Sequence, residues 1–103
     1  MANLVILPAT VENFLMNYTP VNPHFTSREE MNTIIENLML NMYSYEQLRT
    51  VRNAVVEFYT NLMDSEIMYD ENGEYAGRTE KYYQYLCSMG SVTSTIDHYS
   101  YSF

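Results

Sequence analysis

Apolar residues near the start of the chain recur at the spacing of one helical face. Thr10 can act as an N-cap. The positions behind it fall at i, i+3, i+4 and i+7 and are all apolar: Val11, Phe14, Leu15 and Tyr18. This pattern predicts a short helix over about 10–18. Pro20 and Pro23 then exclude regular structure through residues 19–25, because each proline fixes φ and biases the preceding residue away from the α region.

A stronger helical pattern follows. Ser27 and Glu30 have the spacing of a capping box, in which each side chain bonds to the other residue's backbone amide. The apolar stripe behind it is Met31, Ile34, Ile35, Leu38, Met39 and Met42. This stripe predicts a helix over about 27–42. Leu40 lies opposite the centre of the stripe and is expected to be exposed.

A second capping box, Ser44 with Gln47, begins the next helix at once. Its apolar positions are Leu48, Val51, Val55, Phe58, Tyr59 and Leu62. They predict a helix over about 45–67. Because the connection between the two long helices is only two or three residues, we expect them to pack as an antiparallel hairpin.

The C-terminal third begins with a turn at Asp70–Gly73, and Gly77 extends the irregular segment. Thr79 can cap a helix over about 79–89, with Gly90 as its C-terminal cap. The apolar face of this helix is Tyr82, Tyr85, Leu86 and Met89. The tail is ambiguous: Val92, Ile96 and Tyr99 suit a helix over 91–98, which we favour, whereas Tyr99, Tyr101 and Phe103 alternate as in a strand.

These elements predict an all-α fold: a small helical bundle built on the hairpin of 27–42 and 45–67, with a short N-terminal helix and a third helix near 79–89. Residues 1–9 are too few to classify. The chain has 103 residues, 47% of them apolar. That is enough for one core but not two, so residues 1–103 are expected to form a single domain.

The charge balance excludes several classes of function. Thirteen acidic residues stand against five basic ones, for a net charge of -8, and Lys81 is the one lysine. Direct nucleic-acid binding is not expected, because phosphate binding is driven by clustered Lys and Arg. The longest aliphatic run, Leu4–Leu7, is far too short for a membrane span or a secretory signal. The single cysteine, Cys87, excludes an internal disulfide framework, and a cytoplasmic setting follows.

No pattern in the chain points to catalysis, a metal or a cofactor. Asp70, Asn72 and Gly73 invite comparison with a calcium loop, but the sixth and twelfth positions hold Tyr75 and Lys81 instead of Gly and Glu. Cys87, His24, His98 and Asp97 could be imagined as a nucleophile with its base, but no Gly-rich elbow or oxyanion motif accompanies them. We expect Cys87 to be a partly buried structural thiol and the protein not to be an enzyme.

The unpaired acids are the more informative feature. Helices that carry charge for solubility tend to pair Glu with Lys or Arg at i+3 or i+4. Glu57 and Asp64 have no such base, and with Glu46 they project within about 20° of one another on a helical wheel. Tyrosines, which are enriched at interface hot spots, fall in the same part of the chain. The predicted partner-binding residues are Glu57, Asp64, Glu66, Tyr69, Asp70, Glu71, Glu74, Tyr75, Tyr82 and Tyr83.

Acids and tyrosines on a rigid scaffold predict a non-enzymatic protein that occupies a basic surface. Carboxylates can replace phosphates there, because the same Lys and Arg side chains accept both groups. In its size, acidity and lack of a catalytic motif the chain is similar to the small phage and mobile-element inhibitors grouped as anti-CRISPR or anti-restriction DNA mimics. That likeness is one of general character and assigns no residue; it implies a partner such as a CRISPR effector or a restriction enzyme.

Two alternatives stay open at this stage. The acids could serve only as a solvated face. The protein could also be a structural or regulatory helical homodimer, or an antitoxin-like protein, whose apolar hairpin completes a four-helix core with its mate.

Overall fold

The computed structural model describes residues 7–101. Within that range the chain forms four α-helices, a 3₁₀ turn and a two-stranded antiparallel sheet. In chain order these are α1 (Ala9–Asn17), α2 (Arg28–Leu38), the 3₁₀ turn (Leu40–Met42), α3 (Tyr45–Asp64), β1 (Ile67–Tyr69), β2 (Tyr75–Arg78) and α4 (Glu80–Ser100). The fold is therefore mostly helical and bundle-like, but it is not strictly all-α as the sequence predicted.

The first two helices form where the apolar pattern placed them, with different caps. Pro8, not Thr10, is the N-cap of α1. At α2 the Ser27 hydroxyl accepts the Glu30 N–H at 3.1 Å, as expected. The predicted return bond is replaced, because the Glu30 carboxylate instead accepts the Tyr18 hydroxyl at 2.7 Å. Glu30 therefore ties α2 to the segment that follows α1.

The end of α2 corrects two expectations. The helix ends at Leu38, and Met39 takes the left-handed conformation with φ 54°. This conformation costs a non-glycine residue roughly 1–2 kcal/mol and turns the following chain away from the helical path. As a result Leu40, expected to be exposed, is 0% exposed, whereas Met42, expected in the core stripe, is 72% exposed.

Helix α3 begins as predicted and ends earlier. The Ser44 capping box is complete: the Ser44 hydroxyl accepts the Gln47 N–H at 3.2 Å, and the Ser44 N–H donates to the Gln47 side chain at 2.9 Å. The predicted core positions Leu48, Val51 and Val55 are buried. The helix stops at Asp64 instead of continuing to 67, because the chain enters a strand.

The segment predicted to be irregular is a β-hairpin. Ile67 pairs with Arg78, Met68 with Gly77, and Tyr69 with Tyr75, so Ala76 forms a bulge. The turn at Asp70–Gly73 joins the two strands as the sequence predicted. The flanking strands were missed, although Tyr and Ile around an Asn-Gly pair are a hairpin signal.

Helix α4 is the longest element, and it does not end at Gly90 as the sequence predicts. It continues to Ser100, so Gly90 is an interior residue and the predicted helix over 91–98 is confirmed. The strand alternative for the tail reaches Phe103, which lies outside the described residues. Leu86, expected on the core face, is exposed, and Tyr85 on the same helix is buried.

The core is built chiefly by α3 and α4, which pack against each other most extensively. Arg52 near the start of α3 pairs with Asp97 near the end of α4 at 2.9 Å, while the Tyr59 and Tyr85 rings meet at the other end, 6.4 Å apart. The two helices are therefore antiparallel. Helix α2 packs mainly on α4, so the pair expected to be central, α2 with α3, is not the closest one.

Small polar side chains let α2 and the loop before it approach α4. Ser88, Ser91 and Thr95 are buried, and each has a hydrogen-bond partner. Helices α1 and α4 contribute buried residues to the same cluster as α2 and α3. The buried apolar residues form one cluster: Val11, Leu15, Ile34, Leu38, Leu40, Leu48, Val51, Val55, Tyr59, Met63, Tyr85, Val92 and Ile96.

Candidate functional site

The tip of the hairpin is organised by one carboxylate. Asp70 Oδ1 accepts the N–H groups of Asn72 and Glu74, each at 2.9 Å. The Gly73 N–H donates to the Asp70 carbonyl at 2.9 Å, with Gly73 at φ 79°, where a glycine is favoured. Asp70 therefore holds the turn together, while the carboxylates of Glu71 and Glu74 are exposed.

The base of the hairpin is fastened to α4 by Glu66. The Thr79 N–H donates to the Glu66 carbonyl at 3.1 Å, and the Thr79 hydroxyl donates to Glu66 Oε1 at 2.8 Å. The same hydroxyl caps α4 by accepting the Tyr82 N–H at 3.3 Å. Two predicted contact residues, Glu66 and Asp70, thus have carboxylates already used within the chain.

The four predicted tyrosines come together on one surface, here called the tyrosine patch: Tyr69, Tyr75, Tyr82 and Tyr83. Tyr69 and Tyr75 are cross-strand partners and are 63% and 61% exposed. The Tyr82 and Tyr83 rings meet edge to face at 5.4 Å. Tyr82 packs against the core, whereas Tyr83 is 52% exposed.

Arg78 links the two halves of the tyrosine patch. Its guanidinium lies 4.7 Å from the centre of the Tyr82 ring and 5.8 Å from that of Tyr75. The neighbouring Tyr83 hydroxyl, followed by Tyr75 and Tyr82, raises the pKa of Arg78 above its already high value. Arg78 is therefore a permanent cation held over aromatic faces, an arrangement that favours both partners.

The bases near the hairpin leave its acids unneutralised. Arg78 is placed over tyrosine rings, and Lys81 Nζ lies 5.9 Å from the centre of the Tyr85 ring. Within residues 7–101, no carboxylate of the hairpin lies within salt-bridge distance of a basic group. Glu71 and Glu74 therefore project their charge into solvent beside the tyrosine patch.

Two predicted acids lie on α3 and not on the hairpin itself. Glu57 and Asp64 are exposed on α3, as is Glu46. Seven residues of α-helix span about 10 Å, so Glu57 lies that far along α3 from Asp64. Asp64 is close in sequence to β1, but Glu57 belongs to the helical body.

A loop over residues 19–25, expected only to be a linker, is fixed to the helices. The Glu30 carboxylate accepts the Tyr18 hydroxyl and also the Val21 N–H at 3.2 Å. The Ser88 hydroxyl on α4 donates to the Tyr18 carbonyl at 2.9 Å. Burial, followed by the hydrogen bond to Glu30, raises the pKa of Tyr18 above its usual value.

A concave surface of about 370 Å³ lies between this loop and the first half of α4, and we call it the diproline groove. Its lining is mostly apolar. Thr19, Pro20 and Pro23 form the loop wall, and Glu80, Tyr83, Gln84 and Cys87 form the helix wall. No local sequence pattern shows that the two prolines lie against α4, so the sequence does not predict this groove.

Asp97 and Cys87 lie far apart on α4. Asp97 Oδ1 accepts Arg52 Nε at 2.9 Å. Ten residues of α4 separate Asp97 from Cys87, a distance of about 15 Å along the helix. Cys87 is partly buried, as expected.

Over residues 7–101, no group of three or more His, Cys, Asp or Glu side chains is placed to hold a metal ion. In the same part of the chain, no helix combines the length and apolar character needed to cross a bilayer.

Comparison with known proteins does not assign the chain to a family: no protein-family model, curated protein or solved structure matches it. The functional interpretation therefore depends on the geometry and chemistry described above.

Proposed function

We propose that this protein is a non-enzymatic inhibitor that binds a basic, nucleic-acid-binding surface of another protein. One observation carries the proposal: three large tyrosine side chains, Tyr69, Tyr75 and Tyr83, lie more than half exposed beside carboxylates that have no basic partner. Tyrosine supplies rigid contact area with a hydrogen-bonding tip. Exposed carboxylates of one sign speed association with a basic surface.

The proposed partners are nucleases of the CRISPR-effector and restriction classes. Their DNA channels present Lys and Arg side chains, and the carboxylates of Glu71 and Glu74 can occupy the positions of phosphates there. Such an inhibitor would act in the cytoplasm of the host cell. The tyrosines would then slow dissociation, because short-range contacts and not long-range charge decide how long a complex persists.

The first experiment measures DNA cleavage by a panel of purified CRISPR-effector and restriction nucleases with and without the protein. For any nuclease that is inhibited, binding kinetics are compared for the wild type and the variant Asp64→Asn, Glu71→Gln, Glu74→Gln, here called the hairpin amide variant, whose three positions are exposed on and next to the hairpin. These amides keep the side-chain shapes and avoid Glu66 and Asp70, whose carboxylates support the fold. We expect the association rate to fall about tenfold or more at low salt.

A charge-matched control separates a local effect from a general one. The variant Glu29→Gln, Glu36→Gln, Glu46→Gln removes the same charge from exposed positions on α2 and α3. It is expected to associate nearly as fast as the wild type. Equal association rates for the two amide variants would contradict the assignment of the surface.

The exposed Tyr83 ring tests the short-range contacts. Tyr83→Ala is expected to accelerate dissociation, with a loss of about 2 kcal/mol in binding free energy.

The homodimer or antitoxin-like alternative remains a second hypothesis with its own test. Sedimentation equilibrium of the purified chain over a wide concentration range would reveal a stable dimer. A dimer that persists with Tyr83→Ala and with the hairpin amides, together with no inhibition of any nuclease, would favour that alternative.

A further inference from the structure

The diproline groove has two walls that are fixed before any partner binds. Positions 80, 83, 84 and 87 follow the i, i+3, i+4, i+7 spacing of one helical face, so the helix wall is a continuous strip of α4. The loop wall is held by Glu30 through the Tyr18 hydroxyl and the Val21 N–H. A preformed pocket lowers the entropic cost of binding.

The size and lining of the groove indicate what it can accept. Its volume of about 370 Å³ lies near the lower end of the roughly 300–1,000 Å³ typical of ligand pockets. The lining is mostly apolar and includes one carboxylate, that of Glu80, and no basic side chain. This chemistry suits one large apolar side chain with a positive charge nearby.

The groove is continuous with the tyrosine patch, because Tyr83 belongs to both. The one charged side chain in the lining is the carboxylate of Glu80. The chain as a whole has a net charge of -8, so a ligand in the groove approaches a negatively charged protein. Charge complementarity favours a basic ligand over a neutral or acidic one.

We propose that the diproline groove is an anchor pocket for the partner and receives one aliphatic or aromatic side chain from a segment rich in Lys and Arg. The basic neighbours of that side chain contact the carboxylate of Glu80. This inference rests on the proposed function, and it adds that the partner must present an apolar residue within its basic surface.

Cys87 provides a reporter for the test, because it is the single thiol of the chain and lines the groove. The probes are three synthetic seven-residue peptides: a central leucine flanked by Lys and Arg, the same flanks with a central serine, and the leucine flanked by Glu. The measurement is the rate at which iodoacetamide alkylates Cys87 with each peptide at millimolar concentration. We expect the basic leucine peptide to slow alkylation threefold or more, and the other two to change it less than 1.5-fold.

Two variants show whether the protection comes from the groove. Gln84→Trp fills the groove from an exposed position, and Ser94→Trp places the same side chain at an exposed position of α4 outside it. The ratio of alkylation rates with and without the basic leucine peptide is expected to approach one for Gln84→Trp and to remain threefold or more for Ser94→Trp. Circular dichroism checks that both variants fold.

Each remaining outcome overturns the proposal. If the basic leucine peptide does not slow alkylation of Cys87, the groove is not an anchor pocket. If the acidic leucine peptide slows alkylation equally, the groove does not select a basic partner. Alkylation that slows with protein concentration alone assigns the groove to a second copy of the chain. The proposed function fails separately, since the hairpin amide variant is read out on nucleases without these peptides.

Discussion

Tyrosine occupies two opposite environments in this protein. Tyr59 in the helical body is 0% exposed, its hydroxyl donates to the Leu15 carbonyl at 2.8 Å, and burial raises its pKa well above the usual value. Tyr75 on the hairpin is 61% exposed and contacts the Arg78 guanidinium. The same side chain is a structural component in the first region and free contact area in the second.

The difference in burial between these tyrosines indicates which region determines the stability of the fold. A buried tyrosine must have a partner for its hydroxyl, because a buried unsatisfied polar group costs about 1–3 kcal/mol. An exposed tyrosine has no such requirement, and water satisfies it. We therefore expect substitutions of buried residues in the helical body to destabilise the protein. Substitutions of the exposed tyrosines on the hairpin are expected to change binding while leaving stability almost unchanged.

The largest expected effect is at Leu40, where sequence and structure disagree. Leu40→Asp should unfold the protein, because burying an unpaired carboxylate costs several kcal/mol against a total stability of about 5–15 kcal/mol. Leu38→Asp and Val55→Asp should act alike. Met42→Asp, two residues away but exposed, should change the free energy of unfolding by less than about 0.5 kcal/mol. Urea denaturation followed by circular dichroism measures these free energies. A larger loss of stability for Met42→Asp than for Leu40→Asp would indicate that α2 continues to residue 42 as the sequence predicts.

The next effect is at Tyr59. Helix α1 ends at Asn17, so the Leu15 carbonyl is one of those left without a helical partner, and Tyr59 satisfies it. Tyr59→Phe should therefore cost about 1–3 kcal/mol. A tyrosine cannot be replaced here without this loss unless another donor reaches the carbonyl.

The pH dependence of stability sharpens the test of Tyr59. Because its pKa is raised in the folded state, the associated stability is present below the unfolded pKa of about 10 and is lost as pH rises toward the folded value. The wild type should therefore lose stability above pH 10, and Tyr59→Phe should lose less over the same range. Parallel curves for the two proteins would show that Tyr59 ionises as readily folded as unfolded.

A smaller effect of opposite sign is expected at Gly90. The residue lies inside α4, and a Cβ built there meets no atom within 4 Å. Gly90→Ala should stabilise the protein by about 0.5–1 kcal/mol, because alanine loses less backbone entropy in a helix. A loss of stability in thermal denaturation would indicate a left-handed cap at this position, as the sequence pattern predicted.

The smallest effect on stability is expected on the hairpin. Tyr69→Ser and Tyr75→Ser should each change the free energy of unfolding by less than about 0.5 kcal/mol, because both side chains are mostly exposed. Urea denaturation measures this change. The same variants should weaken binding to an inhibited nuclease. A destabilisation as large as that of Tyr59→Phe would show that the hairpin tyrosines contribute to stability as the buried tyrosine does.

Local sequence signals account for much of the fold. The Ser27 and Ser44 caps, the stripe of α3 and the turn at Asp70–Gly73 depend on spacing and backbone chemistry, and each was predicted. Glu30 also has capping-box spacing, but its carboxylate bonds to Tyr18, because a tertiary partner outcompeted the local one. Tyr69, Tyr75, Tyr82 and Tyr83 are linked by the cross-strand pair, the Arg78 guanidinium and the Tyr82–Tyr83 ring contact, and their role in binding a partner stays a prediction.

The remaining features needed contacts between distant segments. Helix α4 continues through Gly90, because packing along α3 outweighs the low helix propensity of one glycine. The chain direction after Met39 decides that Leu40 enters the core, and a left-handed methionine has no reliable sequence signal. The diproline groove exists only because the loop over 19–25 lies against α4.

By itself the sequence determined which segments become helices, where α3 begins, and that acids and tyrosines concentrate in the last third, because capping, periodicity and charge are local properties. The tertiary structure decided which helices pair, which of Leu40 and Met42 is buried, and which carboxylates are hydrogen-bonded within the chain. Those outcomes depend on burial and on hydrogen bonds between segments distant in the sequence, such as Thr79 to Glu66, 13 residues apart, and Tyr59 to Leu15, 44 residues apart.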